Sequence, residues 1–149
     1  MKKLIISGLL LIGVGFLLGN IIFNQRDFFE KKIKSQETYY FLQEGVYSNR
    51  DILENNLTNI SKAIIDYQNN QYYVYVGITK NEMIAKKIQE IYQKKGYQIV
   101  QKIKRFSSEE FYNNVTQFDL LIQSVSSDDE ILTIEEVVLA NYEEILKKQ

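Results

Sequence analysis

The chain of 149 residues contains no cysteine, no histidine and no proline. Without Cys and His it lacks a thiol nucleophile, an imidazole acid–base group and any zinc site built from those ligands. The absence of Cys also fits an extracytoplasmic bacterial protein that does not rely on disulfides. Ser and Lys are plentiful, but nothing in the sequence places a Ser/Lys pair together. We therefore expect a protein that is not an enzyme and that uses no cofactor and no metal.

The near-neutral net charge of −1 hides an uneven distribution along the chain. Residues 1–36 carry six Lys/Arg and two acids, residues 37–105 carry ten and seven, and residues 106–149 carry two and ten. The centre is mildly basic and the tail is strongly acidic. Such a split indicates attraction between the tail and the domain or a partner, and it does not favour nucleic acid.

The first segment is a predicted transmembrane anchor, residues 1–24. Leu4 to Phe23 is an uncharged run of 20 residues, which spans a hydrocarbon core of about 30 Å at about 1.5 Å rise per residue. A cleavable signal peptide would have a shorter apolar region and a small-x-small cleavage site, which is missing here. A charged stalk, residues 25–36, follows the anchor.

The orientation of this anchor is not decided by charge, because Lys/Arg residues flank both of its ends. Gly15 and Gly19 form a GxxxG pattern, which would let two anchors pack into a homodimer. Small residues are also common in membrane helices for other reasons. A homodimer is therefore one of two interpretations of this pattern.

Residues 37–105 alternate between strand-like and helix-like patterns. Aromatic-rich runs predict strands, apolar residues at helical spacing predict helices, and Asn69-Asn70 predicts a turn. A Thr79–Glu82 capping box is predicted to start the second helix. The predicted strands are Tyr39–Tyr47, Ala63–Tyr67, Tyr72–Val76 and Gln98–Lys104, and the apolar stripes of the helices are Leu53, Leu57, Ile60 and Ile64, then Ile84, Ile88 and Ile91.

The order β-α-β-β-α-β predicts the α+β class, with a split βαβ (ferredoxin-like) sheet of four antiparallel strands and two helices on one face. The other face of the sheet is predicted to be open. Strand alternation then predicts which side chains that open face displays, with Gln43 paired across the sheet with Tyr73. The five candidate binding residues are Gln43, Gly45, Gln71, Tyr73 and Tyr75.

Amides, phenols and a glycine suit a surface for carbohydrate. Aromatic rings stack on the C–H faces of sugars, while Gln and Tyr bond their hydroxyl and acetamido groups. The alternative is that these tyrosines are ordinary strand formers, partly buried under the tail. The residues alone leave both interpretations open.

Residues 38–105 resemble the SPOR domain family. The segment Leu42–Asn49 resembles the opening strand of the family, with its Gln-x-Gly and aromatic residue. Tyr72–Gly77 resembles the strand before the second helix, and Ala85–Tyr97 resembles that helix and its end. The resemblance implies the same fold and the binding of peptidoglycan, typically glycan strands stripped of stem peptides at division or sporulation septa. It also implies that Gln43 matches a Gln of the glycan-binding surface.

The resemblance further implies a location. The N-terminus would be cytoplasmic and the C-terminal domain extracytoplasmic, in a single-pass protein of the cell membrane. The expected partners are peptidoglycan glycan strands, the membrane through residues 4–23, and division or sporulation proteins.

The acidic extension, residues 106–149, predicts two amphipathic helices. Ser107 and Glu110 are spaced as a capping box, and Ser127-Asp128-Asp129-Glu130 starts the second helix. These acids at the start of the helix are explained by their attraction to its positive end, and we prefer this interpretation to a metal site. The two apolar stripes must pack on something. A hairpin packed on the domain, a self-associating coil and a groove for a partner are the three options.

Three functions are consistent with these patterns. The first is a membrane-tethered peptidoglycan-binding protein without catalytic activity. The second is a protein-interaction module that uses the acidic helices and has a degenerate glycan site. The third is RNA binding, since related sheets stack bases on aromatic residues, but the anchor and the acidic tail oppose it.

Overall fold

The computed structural model describes residues 36–148. The elements are β1 (Glu37–Tyr47), α1 (Arg50–Asn56), β2 (Ile64–Gln68), β3 (Gln71–Thr79), α2 (Glu82–Lys94), β4 (Val100–Phe106), α3 (Glu109–Ser124) and α4 (Asp128–Lys147). The predicted β-α-β-β-α-β order is confirmed. The predicted anchor at Leu4–Phe23 lies outside the described residues. Within residues 36–148, every helix is too short or too polar to cross a bilayer.

The four strands form one antiparallel sheet in the order β2-β3-β1-β4. The β2–β3 connection is a two-residue turn at Asn69 and Asn70, both with positive φ (52° and 60°). Asn tolerates this conformation, and a tight turn of this hand matches the twist of the strands it joins. The turn sets the register in which Gln68 faces Gln71.

The helices α1 and α2 lie on one face of this sheet. Helix α1 packs against β1, and its Leu53 is fully buried. On α2, Gln89 accepts a hydrogen bond of 2.9 Å from Gln101 of β4, and Ile88 approaches Gly77 of β3. This arrangement is the predicted one.

For two helices, the sequence predicted the wrong N-cap residue. Asn81, not Thr79, caps α2, because its side chain accepts hydrogen bonds from the first turn. Ser108, not Ser107, caps α3. The start of α4 is confirmed, with Ser127 as its N-cap. The Thr79 hydroxyl does not cap the helix and instead donates a hydrogen bond to Asp119.

The second face of the sheet is not open over its whole length. The helices α3 and α4 form an antiparallel pair, named here the C-terminal hairpin, and their aromatic residues pack on that face. Six rings lie within 6.3 Å of at least one other ring centroid in one cluster, four from the sheet and two from the hairpin: Tyr39, Phe41, Tyr75, Phe106, Phe111 and Tyr142. The expectation of an open face is therefore wrong for this half of the sheet, because the aromatic strand residues bury against the hairpin.

The hairpin also bonds to the backbone at one end of β3. Because β2 pairs only as far as Tyr75, the remaining residues of β3 have no strand on that side. Glu135 of α4 accepts a 3.0 Å hydrogen bond from Ile78 N–H. Asp119 of α3 accepts 2.6 Å and 3.0 Å bonds from the Thr79 hydroxyl and from Lys80 N–H. Two carboxyl groups thus take the place of a neighbouring strand.

In the described part of the chain, the buried apolar residues that form the core begin at Tyr39 and end at Tyr142 in sequence. Both faces of the sheet and both helical layers contribute to it. A fragment of residues 36–149 therefore carries this core complete, and it is the form used in the experiments below.

Candidate functional site

Part of the second sheet face remains uncovered next to the C-terminal hairpin. Gln43 and Tyr73 are half-buried there, and Gln71 is exposed. The Tyr73 hydroxyl donates a 3.3 Å hydrogen bond to Gln71 Oε1. Val46 and Val100 lie opposite Tyr73 and Gln43 and are 40% and 49% exposed. We name Gln43, Val46, Gln71, Tyr73 and Val100 the uncovered row.

The predicted pairing of Gln43 with Tyr73 is wrong by one pleat. Gln43 faces Tyr75, and Tyr73 faces Val46. The cause is a pair of irregularities in the β1–β3 ladder around Gln43, which shift the register first on one strand and then on the other. Gln43 and Tyr73 still lie on one face of the sheet. Gln43 pairs with Tyr75, and Tyr75 and Tyr73 are two residues apart on β3, so their side chains point to the same side.

Tyr75 belongs to the core and not to the uncovered row. Its exposed fraction is 3%, and its ring meets Phe41 edge-on at 5.2 Å. Burial raises the pKa of its phenol to about 12. The Lys104 ammonium lies 4.2 Å from the ring centroid and covers the remaining face. A sugar ring therefore has no access to Tyr75 while the hairpin is packed.

Gly45 does not open space on the uncovered row. It pairs with the buried Val74, and a side chain at this position would come within 2.8 Å of the Tyr47 ring. The role of this glycine is therefore to admit Tyr47 on the helical face. The Tyr47 hydroxyl donates to the Glu44 carboxylate at 2.8–2.9 Å, so this acid in the irregular stretch of β1 has a polar partner.

Lys104 marks the boundary between the covered and uncovered halves. Its side chain crosses the sheet from β4, and its ammonium lies 4.7 Å from the Phe41 ring centroid and 3.9 Å from Asp66 of β2. Burial lowers the pKa of Lys104, while the nearby Asp66 raises it. The ion pair is loose, because 3.9 Å exceeds hydrogen-bond length.

A groove of about 450 Å³ opens beside Lys104, under the last turns of α4. One wall is apolar, formed by Tyr142, Ile145 and Leu146. Gln68, Lys104, Arg105, Phe106 and Ser107 complete the lining. Lys104 and Arg105 alternate along β4, so Lys104 is the cation on this face of the sheet.

The sequence interpretation missed the residues of this groove. Alternation in β4 was a usable signal, because it puts Lys102, Lys104 and Phe106 on one face. The contribution of Ile145 and Leu146 had no such signal, since it depends on where α4 packs.

The two buried acids at the β3 end have strongly perturbed titration. Burial raises the pKa of Asp119 to about 6, although Thr79, Lys80 and Asn81 oppose the rise. Burial raises the pKa of Glu135 well above its usual value, and Asp119 adds to that rise. Glu135 Oε1 has no hydrogen-bond partner. Burial therefore favours the neutral form of both carboxyl groups, against the hydrogen bonds that Asp119 and Glu135 accept.

Residues 36–148 contain no group of three or more acidic side chains arranged to hold a metal ion. The acids at the start of α4 act instead on their own helix, where Ser127 and Glu130 form a capping box. Asp128 also pairs with Lys94 at 3.3 Å.

No protein-family profile and no curated protein matches this chain. Among solved structures, it is similar to the solution structure of the peptidoglycan-binding domain of the B. subtilis cell wall lytic enzyme CwlC. The TM-score is 0.44 at 16% identity, and the match covers 49% of this chain and 98% of that domain. A likeness at this level carries no argument about function.

Proposed function

We propose that this chain is a membrane-tethered, non-catalytic protein that binds the glycan strands of peptidoglycan. The observation that supports it most directly is the uncovered row, where the Gln43 amide and the hydrogen-bonded Tyr73 and Gln71 share one face with two exposed valines. Amide and phenol groups bond sugar hydroxyl and acetamido groups, and the apolar atoms between them contact the C–H faces. The resemblance of residues 38–105 to SPOR domains supports the same ligand class.

The row provides a smaller surface than the sequence predicted. Tyr75 and Gly45 leave the proposed site, and Gln43, Gln71 and Tyr73 remain. A role at the septum in division or sporulation is part of this proposal and rests on the resemblance alone.

Sedimentation of the fragment 36–149 with purified sacculi tests the proposal. We expect the fragment to pellet, and we expect Gln43→Ala and Tyr73→Ala to reduce pelleting at least about tenfold, because each removes a contact in the row. Gln93→Ala and Tyr67→Ala are the matched controls, since both residues are exposed outside the row. Retention should persist at high salt, which screens bare charge attraction. A fragment that stays in the supernatant would refute glycan binding.

The proposed topology has its own test. A reporter fused after Gln149 is expected to be active only outside the cytoplasm. A cytoplasmic signal would contradict a role at the wall, whatever the purified fragment binds.

A protein-interaction module is the second candidate, and the burial of Tyr75 under the hairpin favours it. In that case the fragment would not pellet with sacculi, and substitutions in the uncovered row would not change its sedimentation.

A further inference from the structure

The groove beside Lys104 is continuous with the proposed glycan surface. Lys104 and its partner Asp66 lie on the same sheet face as Tyr73, since Asp66 is the strand partner of Tyr73. Gln68 of the groove donates a 2.7 Å hydrogen bond to Asp66. A chain of sugars bound along the uncovered row would therefore reach the groove at this point.

The chemistry of the groove suits a carboxylate attached to a small apolar group. Lys104 is the cation of its lining on this face of the sheet, and Ile145 and Leu146 of α4 belong to the same lining. The Lys104 ammonium is partly desolvated over the Phe41 and Tyr75 rings, and its contact with the Asp66 carboxylate is loose. A ligand carboxylate at hydrogen-bond distance would be a stronger partner than an acid at 3.9 Å.

We propose that this groove is a subsite for an acidic sugar, which binds the free carboxylate of a lactyl-substituted sugar through Lys104 and its methyl group through Ile145 and Leu146. The inference rests on the proposed function, because it places the subsite at one end of the same glycan path. The hairpin then has two effects on the sheet. It covers the aromatic half, and its C-terminal turns supply a wall of the binding groove.

Carboxylates in peptidoglycan come from two sources, the sugars and the stem peptides. The test therefore uses four probes with the fragment 36–149: a neutral chitotetraose, a peptide-free tetrasaccharide with free lactyl carboxylates, the same tetrasaccharide with those carboxylates amidated, and a free stem peptide. We expect the acidic tetrasaccharide to bind about tenfold tighter than the neutral and amidated ones, and the peptide not to compete.

Variants locate the effect. Lys104→Gln is expected to remove the tenfold preference and leave binding of chitotetraose unchanged, while Lys102→Gln, an exposed position on the same strand, keeps the preference. Leu146→Glu, in the last turn of α4, should weaken binding of the acidic tetrasaccharide alone, because it places a second negative charge in the groove. Circular dichroism checks that each variant is folded.

The outcomes separate this inference from the proposed function. Equal binding of all three tetrasaccharides, or an equal loss in Lys102→Gln, would overturn the acidic-sugar subsite but leave glycan binding intact. Competition by the stem peptide would assign the groove to peptide and also overturn it. Absence of binding to every tetrasaccharide would refute both.

Discussion

Replacement of Phe111 by Ala is expected to lower the free energy of unfolding of the fragment 36–149 by about 3–5 kcal/mol. Phe111 is fully buried at the start of α3, and its ring contacts Tyr39, Phe106 and Tyr142 at centroid distances of 5.2–5.5 Å. Its removal leaves a cavity between the hairpin and the sheet. Chemical denaturation followed by circular dichroism gives the value. Leu120→Ala, at an exposed position of the same helix, is the control and should cost less than about 1 kcal/mol.

The large expected loss follows from the position of the hairpin. If α3 and α4 were an appendage, removing one ring from their contact with the sheet would change little. A loss below about 1 kcal/mol for Phe111→Ala would contradict a hairpin that is integral to the core. A chain that ends at Phe106 gives a second measurement, since it would expose the rings of Tyr39 and Phe41 and should aggregate.

Stability is expected to fall as pH rises, by roughly 3 kcal/mol from Asp119 alone. The pKa of Asp119 is raised by burial from 3.8 to about 6. Between these values the folded chain holds a proton that the unfolded chain has released. The stabilisation is therefore fully present below pH 3.8 and is lost as pH rises through about 6. Glu135 contributes a loss of the same sign, because burial raises its pKa as well.

Thermal unfolding at several pH values tests this expectation. Asp119→Asn should flatten the dependence between pH 4 and 6.5, since an amide does not titrate. Glu135→Gln should match the parent at pH 5 and be more stable at pH 8.5, because its side-chain oxygen still accepts from Ile78 N–H while no charge is buried. Glu136→Gln, at a less buried neighbouring position, is the control for a general loss of negative charge. An Asp119→Asn curve parallel to the parent would show that Asp119 does not cause the fall.

Local patterns predicted most of the fold because they encode short-range physics. The Asn69-Asn70 pair tolerates positive φ, and this alone places the β2–β3 turn. The apolar stripe of α2 and the start of α4 at Ser127 are equally local. The two wrong caps, at Thr79 and Ser107, are shifts of one or two residues between neighbouring side chains that can all accept the same bonds.

The site was harder to predict because it depends on register and on burial. Alternation assigned Gln43 and Tyr73 to one face, where the structure places them. The irregularity in the β1–β3 ladder places Gly45 on the same face as Tyr47. An extra residue in a strand reverses the alternation after it, and the sequence pattern does not show where this happens. Tyr75 lies on the predicted face, but a segment about 65 residues further along the chain buries it.

The sequence by itself determined the elements, their order and the face to which Gln43 and Tyr73 belong, since these follow from hydrophobic period and turn chemistry. Only the tertiary structure decided what lies over that face. The rings of β1 and β3 are apolar enough to bind either a sugar or a helix, and the hairpin, tethered in the same chain, covers one half of them. Lys104 at the boundary belongs to the proposed acidic-sugar subsite only because α4 ends beside it.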